Sequence, residues 1–262
     1  MTIAAECNSG AVSAEERFRY LLRLADTSLV LGQRLSEWVG HAPTLEEDLA
    51  LGNITLDLIG QARLLLAYAG QVEGRGRDED QLAFLRDAPE FLNVTLAEQP
   101  NGDFGQTIVR QALLDAWRVE LYHSLIGSTD EQLANIAAKA MKECRYHWRF
   151  SCGWLVRLGD GTEESHARAQ AALDGLWRFT GELLTPDSLD AHMASHGIAP
   201  PLAVIRSRWE ARVAAALEEA TLRQPPPAHF PWLGKCGVHS EHLGHLLAEM
   251  QHLQRAHPGA TW

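Results

Sequence analysis

Apolar residues recur at three- and four-residue spacing along nearly the whole chain, whereas alternating runs of Val, Ile and Thr are absent. This spacing places the apolar residues on one face of a helix and is typical of amphipathic α-helices. A clear example is the stripe formed by Ile108, Ala112, Asp115, Val119, Tyr122 and Ile126. The pattern predicts an all-α protein.

Capping residues and glycines mark the ends of the predicted helices. Capping boxes begin at Ser13, Thr44 and Thr129, and Thr185-Pro186 places a proline at a first helical position. Stops are predicted at Gly40, Gly70, Gly127 and Gly159. The predicted helices cover 14–39, 44–69, 105–126, 130–158, 163–183, 187–196, 201–222 and 240–256.

The first four long helices form two antiparallel hairpins, which the long segment 74–105 connects. Such a crossover connection is a feature of ferritin-like four-helix bundles. We therefore predict a single ferritin-like domain over residues 1–262, with additional C-terminal helices and a disordered segment at 1–13.

The charge balance limits the classes of partner. The chain has 23 basic and 34 acidic side chains and a net charge of −11, which argues against nucleic acid or an anionic membrane. The four cysteines form no C-x-x-C pair, and the N-terminus has no basic region followed by an apolar run. These features predict a cytoplasmic protein with reduced thiols and no membrane span.

Each of the four long helices carries an acid on its apolar stripe, and these acids are Asp26, Asp57, Asp115 and Glu143. Each hairpin places its two acids at similar heights on facing helices. A di-iron carboxylate bundle has this plan, with one lone acid and one Glu-x-x-His pair in each hairpin. The four acids are therefore candidate metal-ligand positions.

The histidines that this plan requires are missing. Three residues after Asp57 stands Gly60, and three residues after Glu143 stands Tyr146, although that place shares the helix face and needs an imidazole. The sequence therefore predicts no metal in this chain. The predicted vestigial ligand positions are Asp26, Asp57, Gly60, Asp115, Glu143 and Tyr146.

Buried acids without a metal need neutralising partners. We expect Arg118 to pair with Asp115, and His147 to pair with Glu143, in the space where iron would lie. The alternative interpretation is that each acid is satisfied separately by neighbouring bases and that no metal site is involved.

Literal Glu-x-x-His matches also occur, at Glu120/His123, Glu163/His166 and Glu249/His252. An active di-iron oxygenase or an iron-storage protein built on these matches is the alternative functional hypothesis. The last predicted helix stacks His242, His245, Glu249 and His252, and a solvated polar face is favoured there over an adventitious zinc site.

Six segments of the chain carry a resemblance to a known family, and they are "LVLGQRLSEWVGHAP", "LDLIGQAR", "EQPNGDF", "KECRYHWRFSCGWLVRLGDGT", "LWRFTGEL" and "HSEHLGHLLAEMQHLQR". Through them the sequence from Tyr20 to Trp262 resembles the C subunits of bacterial phenylacetyl-CoA 1,2-epoxidases, which are multicomponent ring-epoxidising monooxygenases of phenylacetate degradation.

The resemblance implies a ferritin-like structural subunit that has lost its iron and holds no cofactor. The implied partners are a homologous A subunit with the di-iron centre, a small bridging B subunit, and a reductase with FAD and a [2Fe-2S] cluster that takes electrons from NADPH. Phenylacetyl-CoA is implied at the shared interface, near Glu90, Phe91, Leu92, Asn93, Ala191, His192 and Met193. A free-standing homodimeric bundle is a third hypothesis.

Overall fold

The structure, a computed structural model, describes residues 10–227 and 233–260. Over these ranges it contains no β-strand, and its one isolated β-bridge joins Leu233 to Val238. The α-helices are α1 (Ala14–Ser36), α2 (Leu45–Glu73), α3 (Glu79–Phe84), α4 (Phe104–Leu125), α5 (Glu131–Gly159), α6 (Glu163–Leu176), α7 (Thr180–Leu184), α8 (Ser188–Ser195), α9 (Leu202–Glu219), α10 (Glu241–Met250) and α11 (His252–Ala256).

Two helical hairpins form the core of the fold. Helix α1 packs along α2 and α4 packs along α5, while α2 and α5 bring the two hairpins together. The crossover between the hairpins contains α3 and two 3₁₀ turns, Ala88–Glu90 and Thr95–Glu98. The predicted all-α, ferritin-like architecture is confirmed.

The predicted helix ends are partly correct. Ser13 and Glu16 form the expected capping box at the start of α1, but α5 is capped by Asp130, which accepts a hydrogen bond from Leu133 N at 3.1 Å. Gly70 does not end α2, which continues to Glu73. A Cβ at Gly70 would lie 2.2 Å from the Arg77 carbonyl oxygen, so this glycine permits close packing of the crossover.

The last predicted helix is interrupted at Gln251, between α10 and α11. The Gln251 side chain is buried and donates hydrogen bonds to the carbonyl oxygens of Ala83 and Arg86, at 3.1 and 2.9 Å. The amide thereby ties the C-terminal helices to the crossover, a long-range contact that the local periodicity does not reveal.

The predicted disorder at residues 1–13 is partly corrected. Residues 1–9 lie outside the described ranges, so for them the prediction stays open. Ser13 caps α1, and the Gly10 carbonyl lies 3.2 Å from His192 Nε2. Residues 10–13 therefore have defined contacts.

Helix α2 is apolar on more than one side. It is long and apolar enough to cross a membrane by length and composition, and 44% of its apolar window is buried inside the fold. Core helices also meet these criteria, so the finding is weak evidence for a span. Its buried side faces α1, while Leu45, Leu49 and Leu56 are exposed.

Candidate functional site

A guanidinium lies at the centre of the bundle. Arg118 on α4 is buried, and its Nη1 donates a hydrogen bond to the Ser28 hydroxyl of α1 at 3.0 Å. Its Nη2 donates to the side-chain oxygen of Gln61 on α2, and the group lies 5.2 Å from the centre of the Tyr122 ring. One side chain of α4 therefore joins both helices of the first hairpin.

The Gln61 amide extends this network to α5. Its Nε2 donates a hydrogen bond to Glu143 Oε2 at 2.6 Å, so Arg118, Gln61 and Glu143 form a chain across three helices. Cys144 is buried close to Arg118, and burial raises the pKa of its thiol to about 11 despite the opposing effect of the guanidinium. The thiol is therefore neutral at physiological pH.

A second polar group lies further along α5. His147 is buried, and its Nε2 lies 3.0 Å from Asp57 Oδ2, where the protonated nitrogen donates to the carboxylate. The Ser151 hydroxyl donates to Asp115 Oδ2 at 2.8 Å. Burial raises the pKa of Asp115, and nearby His147 and the Ser151 hydrogen bond partly oppose that shift.

The neutralising pairs differ from those predicted. Arg118 donates its hydrogen bonds to Ser28 and Gln61 instead of Asp115, which lies on the same helix. His147 pairs with Asp57 across the bundle instead of Glu143. The expectation of protein side chains filling the centre agrees with these contacts, but the connections run between helices.

The predicted register of the two histidine places is wrong by one residue. Gly60 is exposed, with open space where a Cβ would lie, and Tyr146 is half-buried beneath Arg149, whose guanidinium lies 5.5 Å from the ring centre. The following residues, Gln61 and His147, are the ones that face inward.

The buried i, i+3 pairs are therefore Leu58/Gln61 on α2 and Cys144/His147 on α5. The sequence could not distinguish the registers, because α2 is apolar on both sides and α5 carries aromatic residues on neighbouring faces. Gln61 and Arg118 have a signal in the sequence, as polar residues within apolar stripes. Ser28 and Cys144 have none, since small residues also suit an ordinary core.

Asp26 does not belong to this centre, contrary to the prediction. Its carboxylate accepts hydrogen bonds from both terminal nitrogens of Arg86 in the crossover, and Leu92 N donates to it at 2.8 Å. Both charged side chains are buried. Ser28, two residues further along α1, takes the place predicted for Asp26.

The residues at the centre do not fit a di-iron site. Such a site needs four carboxylates and two imidazoles, whereas the centre presents a guanidinium, an amide and the apolar Leu58. A buried cation also repels a second one in a medium of low dielectric. Within residues 10–227 and 233–260, no three His, Cys, Asp or Glu side chains are arranged to hold a metal ion.

The literal Glu-x-x-His matches have other contacts. Glu120 accepts a hydrogen bond from Arg212 Nε at 2.9 Å, and His166 Nδ1 lies 2.7 Å from the Gly159 carbonyl oxygen. Glu249 and His252 are exposed on the last helices. These contacts agree with structural and surface roles.

Four of the seven residues predicted near the CoA ester are buried inside the chain, namely Phe91, Leu92, Asn93 and Met193. Asn93, for example, donates to Glu98 Oε2 at 2.9 Å. Their burial corrects the prediction of ligand contact for these four. Glu90 and Ala191 are exposed, and His192 is partly exposed beside Glu16, at 2.7 Å.

Comparisons with known proteins agree with the family resemblance. A family model described as phenylacetic acid catabolic protein matches residues 1–262. The chain is also similar to the C subunit of the 1,2-phenylacetyl-CoA epoxidase of Escherichia coli (strain K12), with 55% identity over 243 residues that cover 93% of this chain and 98% of that protein. The chain therefore belongs to the phenylacetic acid catabolic protein family.

Proposed function

We propose that this chain is the non-catalytic structural subunit of a multicomponent phenylacetyl-CoA 1,2-epoxidase in aerobic phenylacetate degradation. The observation that carries the proposal is the buried guanidinium of Arg118, hydrogen-bonded to Ser28 and Gln61 at the centre of the ferritin-like bundle. This arrangement stabilises the bundle without iron. The similar E. coli protein is one of the lettered subunits of an epoxidase, which supports a role within a larger enzyme.

In this proposal, the oxygen chemistry belongs to a homologous A subunit that holds the di-iron centre. A reductase with FAD and a [2Fe-2S] cluster supplies electrons from NADPH, and a small B subunit bridges the assembly. Phenylacetyl-CoA binds at the interface with the A subunit. Of the contacts predicted in this chain, Glu90, Ala191 and His192 remain accessible to the ester.

The outward face of α2 is the proposed contact with the A subunit. We define the outer stripe of α2 as Leu45, Leu49, Gly52, Leu56 and Gly60, which share a face at spacings of three and four residues. The leucines are 69%, 59% and 68% exposed, in chain order. A helix that is apolar all round is normally buried on all sides, and this face is uncovered in the isolated chain.

Two glycines support the same assignment. A Cβ at Gly52 or Gly60 would meet nothing within 4 Å, although glycine inside a helix costs about 1 kcal/mol relative to alanine. No packing within the described chain requires them. Glycines between exposed leucines allow a second helix to approach closely, which explains their cost.

Reconstitution tests the division of labour. The chain is combined with the candidate A subunit, reductase, NADPH and phenylacetyl-CoA, and wild type is compared with Glu143→Ala. We expect epoxide formation to follow the amount of assembled complex, with iron only in the A subunit. Lost activity in an intact, iron-loaded complex would place Glu143 in the chemistry and contradict the proposal, as would near-stoichiometric iron in this chain alone.

Pairing is tested separately with Leu56→Asp. A carboxylate in the outer stripe of α2 is expected to weaken association with the A subunit at least tenfold, because the interface would bury an unpaired charge. The control is Leu253→Asp, since Leu253 is an exposed leucine on α11. Equal affinities for both variants would exclude this stripe as the interface.

A further inference from the structure

A groove of about 800 Å³ lies between α5 and α9, beside α4. It is separate from the outer stripe of α2, because α5 packs against α2 on one side and α9 on the other. Neither the bundle centre nor the proposed interface uses it. The residues most exposed to its interior include Arg145, Trp148, Arg208, Arg212, Ala215 and Glu219.

The two walls run in the same direction. Before α9, the Gly197 carbonyl accepts a hydrogen bond from Thr129 N near the start of α5, at 2.9 Å. After α9, the Thr221 hydroxyl donates to the Gly159 carbonyl at the end of α5, at 3.1 Å. The groove therefore follows α5 from Met141 to Cys152 and α9 from Arg208 to Glu219. Either stretch is roughly 16 Å, or about three helical turns.

The charges along the groove are separated. Arg145 and Arg208 are exposed at its first end and form no ion pair or hydrogen bond with any described residue. Glu219 lies at the other end, where it and burial raise the pKa of Cys152. Two free guanidiniums are unusual on a chain with a net charge of −11, and they make this end a binding site for carboxylates.

The middle of the groove is compact and largely apolar. Arg212 donates to Glu120 at 2.9 Å and lies 5.5 Å from the centre of the Trp148 ring, so its charge is already satisfied. Ala211 and Ala215 are exposed one helical turn apart on α9. Their small side chains leave room for a helix between the walls, as in other helix-in-groove complexes.

We propose that this groove binds an amphipathic α-helix of another subunit, about three turns long, with acidic side chains beside Arg145 and Arg208 and a basic side chain beside Glu219. The inference extends the proposed function, since it gives the chain a second docking surface on the far side of α5. A small organic anion would need only the arginine end, whereas a helix uses the whole length and both charged ends.

Photo-crosslinking in the assembled complex tests the proposal. A photoreactive amino acid replaces Ala215 in the groove or, as the control, Ala214, which is exposed but does not line it. We expect a crosslink from position 215, and not from 214, to one helical segment of another subunit with acidic residues toward Arg145. The double variant Arg145→Glu/Arg208→Glu should lower its yield about tenfold, whereas Lys142→Glu/Arg149→Glu, on the exposed side of α5, should not.

Assembly is scored before irradiation, so the two proposals fail in different ways. An intact assembly without a crosslink at 215, or with one that ignores charge reversal at the arginines, overturns the groove proposal alone. A crosslink displaced by added inorganic phosphate, with no protein segment attached, also overturns it in favour of a small anion. A chain that forms no assembly contradicts the proposed function and the groove together.

Discussion

The Arg118 guanidinium and the Ser28 hydroxyl meet at 3.0 Å in the interior of the bundle, both on fully enclosed side chains. Arg118 also reaches Gln61, whose amide in turn donates to Glu143. A directional network of this kind fixes the relative heights of four helices, because every member depends on a partner from another helix. It performs the structural task that metal ligation performs in a di-iron bundle.

Replacing Arg118 by methionine should therefore destabilise the fold. Met fills similar space but leaves the Ser28 hydroxyl and the Gln61 oxygen without this donor, so we expect the free energy of unfolding to fall by about 3 kcal/mol. Urea denaturation measures the change, and Arg149→Met, on the exposed side of α5, serves as control. Equal stability of the two variants would show that the network contributes little.

The buried pair of Asp26 and Arg86 should show strong coupling. Asp26→Leu leaves an unpaired buried guanidinium over the Phe91 ring, 4.2 Å from its centre, and should cost about 3 to 5 kcal/mol. Arg86→Leu should cost a similar amount. The double variant should be clearly more stable than the sum of the two losses predicts, because no isolated charge remains. Additive losses in a double-mutant cycle would contradict a direct pair.

The long helices were predictable because their apolar spacing repeats over many turns, and periodicity averages over local exceptions. The same averaging limits precision. On α2 both neighbouring faces are apolar, so the pattern did not decide between Gly60 and Gln61 as the inward residue. One residue rotates a side chain by about 100° around the helix, which was enough to move the predicted ligand place to the surface.

The partners within the site were less predictable than the helices. Asp57 pairs with His147 and Gln61 with Glu143 only because α2 and α5 have a particular relative height and rotation. Asp26 is bound by Arg86, which lies in the crossover and has no periodic signal. Such contacts depend on tertiary packing, whereas local sequence reports mainly on the helix to which a residue belongs.

Stability should depend on pH through His239. Its Nδ1 lies 2.8 Å from Glu98 Oε2 and its Nε2 lies 2.8 Å from the Phe91 carbonyl oxygen. Both neighbours are acceptors, so the ring donates from both nitrogens as an imidazolium. Burial lowers the pKa of His239, but the Glu98 hydrogen bond and charge outweigh it and raise the pKa above its ordinary value.

A raised pKa in the folded state means that the His239 contribution is complete below the unfolded pKa of about 6.5 and is lost as pH rises through the folded value. His239→Gln should therefore cost about 2 kcal/mol near pH 6 and less at higher pH. Denaturation of wild type and variant across this range measures the difference, with the exposed His252→Gln as control. A difference independent of pH would contradict an imidazolium at this site.

Gly60 separates the needs of the isolated chain from those of the complex. A Cβ at this position meets nothing within 4 Å, so Gly60→Ala should raise the free energy of unfolding by about 0.5 to 1 kcal/mol through helix propensity alone. Gly60→Leu should also fold normally, but its side chain would project from the outer stripe of α2 and weaken binding to the A subunit at least tenfold.

The matched control for Gly60 is Gly175 on α6, which is exposed and equally free of neighbours. Gly175→Leu should preserve both stability and affinity, because no docking surface is proposed there. Thermal unfolding and a binding titration with the A subunit measure the two properties independently. A stable Gly60→Leu chain with wild-type affinity would show that no partner helix approaches this glycine, and the open space at Gly60 would then need another explanation.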